Sequence, residues 1–568
     1  MSDTLPVICE NAGRTIEVAM GTTLLEVERQ LRLDGPHPFL AAYVNNRIKE
    51  LNYRIYKPVT VRFIDITSFE GIRVYQRTIS FILQKAVREL FPDRTLYIRH
   101  SLGASGFYCE ISGFGPIPAE HLDAIKARMR GIIDRNLPIQ GVKMLTDTAR
   151  KIYEGFGMAD KIALLDSRPR LYSKIYTIDS LPGYFYGALT PSTGYTPQFD
   201  LHPYYNGFFI ALPLRTDPTR LHQSVHQEKM FDVFHQYQSW VEIMGVPTVG
   251  QLNSKVLAGD ASELIKIAEA FHENKLAQVA GCVAEANRER GVRLVLISGP
   301  SSSGKTTFAK RLGVQLRVLG LNPVLISLDD YFVDREKTPR DENGEYDYEA
   351  LEAIDLEQFN DHLKRLERGE SVDIPRYDFI SGTRQWHDNP LQLDERSVLI
   401  VEGIHGLNPA LTPGVPESRK FKIYVSCFTS VALDNVSRIA TSDNRLLRRL
   451  TRDYRQRGAD ALSTLSRWAS VRPLGKRPPG RGEAHLPLPG ECRRDVQFVA
   501  LLRNFGPAPL CRTDPAGSTR YGPRIRRGQT HAQVPRQLHP DLSRRDPAHV
   551  APAGVHRRQQ FQILIPNE

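Results

Sequence analysis

The chain has 568 residues, length for three or four domains, and its 41% hydrophobic and 24% charged shares are ordinary for a globular protein. No run of 18 or more apolar residues occurs, which argues against a helical membrane span, and MSDTLPVICENAGRTIEV lacks the basic start and apolar core of a signal peptide. The net charge of +11 is unevenly spread: Pro473 to Glu568 carries 16 Lys+Arg against 7 Asp+Glu, and the rest carries 59 against 57. The body is therefore near neutral, which argues against a nucleic-acid-binding body. Six cysteines (Cys9, Cys109, Cys282, Cys427, Cys492 and Cys511) form no CxxC pair. Their scatter speaks against a disulfide framework or a zinc ribbon, and the expectation is a reduced, cytoplasmic protein.

From Leu5 to Ile66 the chain reads as a small β-rich unit (residues 1–67). VICENAGRTIEVAM predicts a hairpin, TTLLEVERQL a short helix, and AAYVNNRIKEL and VTVRFIDI two strands, from their apolar–polar alternation. Residues 68–221 read as an α+β stretch. SFILQKAVRELFP is an amphipathic helix, GFYCEIS a strand and AEHLDAIKARMRGIIDRN a second amphipathic helix. Residues 222–290 are predicted to be a largely helical connector, with ASELIKIAEAFHENKLAQVAGCVAEANRER carrying apolar residues at helical spacing. His222 and His226 stand four apart, as metal-binding pairs on helices do. No HExxH and no third ligand accompany them, so a solvated helix face is expected.

Chemistry begins at about Gly291. RLVLIS predicts a strand that runs into Gly299-Pro300-Ser301-Ser302-Ser303-Gly304-Lys305-Thr306-Thr307, and FAKRLGVQLRVLG predicts the helix after it. This is GxxxxGK[ST] between a strand and a helix, the context of a P-loop that binds ATP. Gly299 and Gly304 let backbone N–H groups curl round phosphates, and the helix N-terminus faces them with its positive end. Lys305 can reach the β- and γ-phosphates, and the Thr306 hydroxyl can ligate Mg²⁺. A second strand, PVLISLDDYF, delivers Asp329 to its carboxyl end, where functional groups gather in an open parallel sheet. There Asp329 could accept a proton from an acceptor hydroxyl. A third strand, SVLIVEG, ends in Glu402, placed to hold Mg²⁺ directly or through water. Arg445, Arg448 and Arg452 fall at i, i+3 and i+7 of DNRLLRRLTRD and share one helical face, which can close over a transferring phosphate.

The motifs GPSSSGKTTF, SLDDYF, YDYEALEAID, IPRYDFISGTR, LIVEGIHGLNP and DNRLLRRLTRDYRQRG closely resemble the uridine kinase/phosphoribulokinase family, in family order. The resemblance implies an α/β P-loop kinase domain with a parallel sheet over residues 291–472, using ATP and Mg²⁺. It makes Asp329 the catalytic base, Glu402 a magnesium-side acid, and Arg445 and Arg448 part of a lid. It puts Tyr331, Glu349, Tyr377 and Arg384 near a nucleoside such as uridine or cytidine. YDYEAL departs from the Y-D-H-P run frequent in uridine kinases, so the ribose contact at Glu349 and the acceptor stay open, with ribulose 5-phosphate and pantothenate as alternatives. Upstream, residues 1–67 resemble a TGS (β-grasp) unit. Residues 68–221 resemble the editing domain of threonyl-tRNA synthetases, with Arg77 and Phe81 at the positions of its HxxxH pair. That substitution implies a scaffold or binding role without aminoacyl hydrolysis. A regulatory ligand or RNA at this N-terminal half, a homo-oligomer, and a second reading as a P-loop nucleotide switch that binds RNA or tRNA stay open.

The resemblance stops near Val471-Arg472. From Pro473 the chain holds 15 Arg and 14 Pro and shows no sustained period, a composition that predicts a disordered basic tail over 473–568. Family members would continue through "IFPYQENADVMFNS" and end near "LLREFIGGSSF". Degenerate codons for EAHLPLPGECRRDVQF (Glu483 to Phe498), read one base forward, can spell (K/R)HIFPYQENADVMFNS. Those for HVAPAGVHRRQQF (His549 to Phe561) can spell TSLLREFIGGSSF. The expectation is a one-base frameshift between about Arg472 and Gly482. Sequencing the gene checks it: codons that give these peptides in the next frame are the expected result, and any other codon choice removes the reading.

Overall fold

The computed structural model describes residues 4–470 and 496–500, apart from 102–104, 169, 224, 225, 227, 342, 343, 345, 380, 387–389, 428, 430 and 457. The chain opens with strands β1 (Thr4–Cys9) and β2 (Arg14–Ala19), helix α1 (Leu24–Leu31), and strands β3 (Ala41–Val44), β4 (Arg47–Lys49) and β5 (Val59–Ile64). The strands order as β2-β1-β5-β3-β4, with β1 antiparallel to β2 and parallel to β5. Thr23 and Glu26 cap each other's backbone at the start of α1, and the helix buries Leu24, Val27 and Leu31. That stripe packs on Val7, Val61 and Phe63 of the sheet. The predicted hairpin, helix and VTVRFIDI strand form, whereas AAYVNNRIKEL, expected as one strand, turns at Asn45-Asn46, both at positive φ, into the antiparallel pair β3–β4.

Next come α2 (Phe69–Leu90), β6 (Leu96–Ser101), β7 (Gly106–Ile111), α3 (Ala119–Asp134), β8 (Ile139–Leu145), α4 (Thr146–Gly155) and α5 (Ala159–Asp166). Then follow β9 (Tyr172–Ile178), β10 (Leu181–Gly183), β11 (Asp200–Tyr204), β12 (Gly207–Ala211), β13 (Pro213–Leu214) and β14 (Asp217–Leu221). One sheet runs β11-β12-β7-β6 and another β10-β9-β8. Alternation along β7 decides its two contacts. Phe107, Cys109 and Ile111 join the core beneath α2 and α3, while Tyr108 meets Phe231 on the opposite face. Phe231 belongs to α6 (Glu228–Ile243), which is followed by α7 (Val249–Leu257) and α8 (Ala261–Arg290). Contrary to expectation, His222 and His226 do not share a helix face: both precede α6. His226 stacks on Tyr204 at 5.2 Å and His222 meets Phe209 edge-on at 5.8 Å. Their aromatic partners, rather than helical spacing, set their positions.

The C-terminal sheet is parallel throughout. It contains β15 (Leu294–Ser298), β16 (Asn322–Ser327), β21 (Ser397–Glu402), β22 (Lys420–Ser426) and β23 (Val496–Ala500), ordered β16-β21-β15-β22-β23. Its helices are α9 (Lys305–Val318), α10 (Leu356–Glu367), α11 (Thr441–Gln456) and α12 (Ala461–Ser470). Between α10 and β21, β17 (Val372–Asp373) pairs with β20 (Pro390–Leu391), and β18 (Arg376–Asp378) with β19 (Thr383–Gln385). Every residue of β15 is buried, because both faces are covered. Val295 and Ile297 face Phe308, Leu312 and Leu316 of α9, with α8 beyond, and Leu294 and Leu296 lie in the core that α10 closes. The predicted structureless tail is corrected at one place. Val496–Ala500 pairs in parallel with β22 and adds a fifth strand at that edge of the sheet. Residues 471–495 and 501–568, where most of the frameshift reading falls, lie outside the described residues.

Helix α8 joins the two halves. Its Leu276 is fully buried against the core of the parallel sheet, and Arg311 of α9 reaches back to Glu269 at 2.9 Å and to Glu273. Leu276→Ala should lower unfolding free energy by about 3 kcal/mol, through lost apolar burial and the cavity left behind. Urea denaturation followed by circular dichroism reads that loss.

Candidate active site

The site grows from the carboxyl end of β15. Gly299 turns there because a Cβ would lie 2.0 Å from the Val425 carbonyl oxygen. Gly304, at φ +99°, is the left-handed residue that lets α9 start. Between them Ser301 and Ser302 are half-buried and Ser303 is buried, with Ser302 itself at φ +61°. The Ser302 and Ser303 hydroxyls are buried without a hydrogen-bond partner. Unsatisfied polar atoms within a loop of phosphate-binding sequence are what a phosphate cradle presents. Lys305, Thr306 and Thr307 form the first turn of α9. The Lys305 ammonium bends back to the Pro300 carbonyl at 3.5 Å. Burial pushes its pKa below the ordinary lysine value, opposed by the Glu402 and Asp329 carboxylates.

Parallel register brings the acids to this point. Ile297 of β15 and Ser327 of β16 both stand opposite Glu402 of β21. Glu402 Oε1 accepts the Thr306 hydroxyl at 2.7 Å and the Ser327 hydroxyl at 3.1 Å. Burial raises its pKa, and Lys305 opposes the rise. Asp329 follows in the single turn Leu328–Tyr331, within electrostatic reach of Lys305 and Glu402. The fit to Mg²⁺ rests on these oxygens: a hydroxyl and a carboxylate suit a hard cation whose remaining ligands are phosphate oxygens and water. Among the described residues no group of three or more His, Cys, Asp or Glu forms a metal site on its own.

Helix α11 lies over the loop. Arg445 Nε donates to the Ser301 carbonyl at 2.9 Å and Arg448 Nε to the Ser302 carbonyl at 3.1 Å. Arg445 also sits over the Trp468 ring at 5.3 Å, and burial lowers its pKa. Arg452, the third member of the predicted face, pairs instead with the buried Asp453 at 3.0 Å. Glu349 keeps an exposed side chain; the fields of Arg445, Arg449 and Lys305 reach it, and partial desolvation by the surrounding protein still raises its pKa.

The residues expected at an acceptor divide into two kinds. Tyr377, on β18, packs on Phe332 and Phe379 at 5.6 and 5.2 Å, and its hydroxyl is buried without a partner. Arg384, on β19, reaches Asp355 at 3.0 Å and Gln358, which fixes it to the start of α10. Tyr331 is a correction. It is fully buried, with its hydroxyl 2.9 Å from His362 Nδ1 and its ring edge-on to Phe359. It therefore supports the Asp329 turn from within the core and does not line the cleft. The sequence reading passed over His362, Ser327 and Asp330. His362 follows Phe359 by three positions and so falls on the buried stripe of α10, a spacing signal that could have found it.

Residues 294–474 match the model of the Phosphoribulokinase / Uridine kinase family. The chain is 32% identical over 186 residues to the uridine kinases of Staphylococcus aureus strains JH9 and Newman, covering 33% of this chain and 80% of each relative. A solved structure described as a possible uridine kinase from Bacillus stearothermophilus is 26% identical, over 24% of this chain and 72% of that one, with a TM-score of 0.20.

Asp330 carries the clearest titration signature. Burial, helped by the neighbouring Asp329 charge and opposed by the Tyr377 N–H, pushes its pKa up to about 6 from an ordinary 3.8. The folded protein thus holds a proton here that the unfolded chain releases, so this group's contribution to stability falls as pH rises from about 4 to about 6. Asp330→Asn keeps the Tyr377 contact and removes the burial of charge. In Mg²⁺-free buffer it should be more stable than the wild type by about 2 kcal/mol at pH 8, with the gap closing by pH 4. Thermal unfolding across that range measures the difference.

Proposed function

We propose that this chain, which belongs to the phosphoribulokinase/uridine kinase family, transfers the γ-phosphoryl group of ATP to the 5′-hydroxyl of a uridine- or cytidine-like nucleoside. The observation that carries the reading is the contact of Thr306 with Glu402 at 2.7 Å, at the carboxyl ends of neighbouring parallel strands and beneath Arg445 and Arg448. A nucleotide switch needs the P-loop and this pair. It has no use for an acceptor side, where Asp330 accepts the Tyr377 N–H and the Tyr377 hydroxyl is buried without a partner.

On this reading the backbone of Gly299 to Gly304 and the start of α9 hold the phosphates, and Lys305 lies against the β- and γ-oxygens. Thr306 and Glu402 would hold Mg²⁺, which when bound neutralises charge on the phosphates. Asp329 takes the proton of the acceptor hydroxyl as its oxygen forms the new O–P bond, and ADP leaves with the electrons of the broken bond. Arg445 and Arg448 exchange the Ser301 and Ser302 carbonyls for the moving phosphoryl oxygens, in a crowded site where such charge counts for more than in water. Tyr377 and Glu349 face the nucleoside. The same reading makes residues 1–67 a TGS-like β-grasp unit, 68–221 an editing-like domain without its histidines, 222–290 a helical connector and 291–472 the kinase.

Lys305→Ala and Asp329→Asn should each reduce turnover by at least about a thousandfold. Only Lys305→Ala should also weaken ATP binding by tenfold or more. ATP consumption against uridine, cytidine, pantothenate and ribulose 5-phosphate, with calorimetric ATP titration of each variant, separates the two effects. Normal turnover in Asp329→Asn would remove Asp329 as the base.

A further inference from the structure

Residues 431–440 lead into α11, and they are not a free hinge. Val431, Leu433 and Val436 are buried in the core of the N-terminal α+β region, with Ile72, Phe107 and Leu164 as members of the same cluster. The backbone is tied as well. Ile98 N–H donates to the Asn435 carbonyl at 2.8 Å, Asn435 N–H donates to the Asp160 carboxylate at 2.9 Å, and Val249 N–H donates to the Ala432 carbonyl at 2.8 Å. Asp434 is fully buried and caps the turn by accepting from the Val436 and Ser437 N–H groups. Its charge is met by Lys161 Nζ of α5 at 3.1 Å, a lysine that is itself buried. Arg438 lies over the Phe107 ring at 4.8 Å. In the first turn of α11, Asp443 Oδ1 meets Arg73 Nη2 of α2 at 3.2 Å, across 370 residues of chain, and Glu70 holds the same arginine at 3.4 Å. Two and five residues beyond Asp443 stand the arginines that touch the P-loop.

Moving this segment would expose three apolar side chains and strip a buried carboxylate of its counter-ion, so α11 cannot swing on it as a loose strap. We infer that the N-terminal α+β region positions the phosphate-covering helix of the kinase, and that Arg73 and Lys161 are positioning residues for phosphoryl transfer. Arg73 sets the rotation and height of the first turn of α11 through Asp443, and so the reach of Arg445 and Arg448. Lys161 fixes the turn from which α11 departs. The two halves of the chain thus form one catalytic unit, and whatever shifts α2 or α5 also shifts the lid. This inference rests on the kinase reading only for its consequence in turnover. The mechanical link itself is testable without it.

The test uses the full chain with Arg73→Asp, Asp443→Arg, the double charge swap, and Arg73→Lys as the conservative variant. Hydrogen–deuterium exchange of residues 441–456 reads lid order, with 294–318 as an internal control. Steady-state kinetics with ATP and the best acceptor reads consequence, normalised to ATP-binding sites. Each single reversal should raise exchange across 441–456 alone and lower kcat about fivefold or more, with the acceptor KM unchanged. The double swap should restore both, and Arg73→Lys should lie between. Unchanged lid exchange in the single variants overturns the inference, as does a rise spread evenly over the whole protein, which marks Arg73 as a stability residue only. If the wild-type protein turns over no acceptor, the kinase reading fails, and the exchange and swap results still decide whether the N-terminal region holds the helix.

Discussion

The parallel pairing of β15 between β21 and β22 is the constraint on which the rest depends. It aligns the carboxyl ends of three strands, so that Ile297 stands opposite Glu402 on one side and opposite Ile423 on the other. The P-loop can then leave β15 at the level of a carboxylate and a row of backbone carbonyls. A register slip of one residue would turn Glu402 to the other face of the sheet and take Thr306 out of reach. The apolar packing of α8 and α9 below and α10 above holds this register.

Around that alignment the site balances opposed charges in little space. Lys305 sits among Glu402, Asp329, Arg445 and Arg452, and its pKa is shifted down because desolvation outweighs the two carboxylates. Burial, with the neighbouring Asp329 charge, shifts Glu402 and Asp330 up. The arginines of α11 meanwhile rest on P-loop carbonyls, which keeps them satisfied and close to where phosphate would lie. Tyr331 and His362 form a buried polar pair in the core, and Tyr331 closes the turn that carries Asp329.

The N-terminal half is joined to this chemistry through core packing as well as surface contact. The stretch before α11 contributes to a hydrophobic cluster otherwise made by residues of the first 264 positions. Because such interiors are close-packed, displacement at one side of the cluster is felt at the other. The N-terminal α+β region thereby acquires a structural task, as the wall against which α11 is set.

Much of the site was legible in the sequence, because its signal is local. A strand, a glycine-framed loop and a helix within a few residues of one another define the P-loop wherever they occur. Asp329 and Glu402 each end an apolar run, and Arg445 and Arg448 are spaced to share a helical face. The first sheet and the main helices were legible for the same reason, through periods of two and of three to four residues. Tertiary structure alone decided the matters that turn on distant partners. Tyr331 reads as an aromatic near the nucleoside, but its apolar ring and single hydroxyl are equally suited to burial, and His362 settles the choice. His222 and His226 keep helical spacing without a helix, because Phe209 and Tyr204 offer aromatic partners. Arg73 reads as one more charge on a long helix. Its partner lies 370 residues away, and no local period or motif carries information over that separation, which only the fold closes.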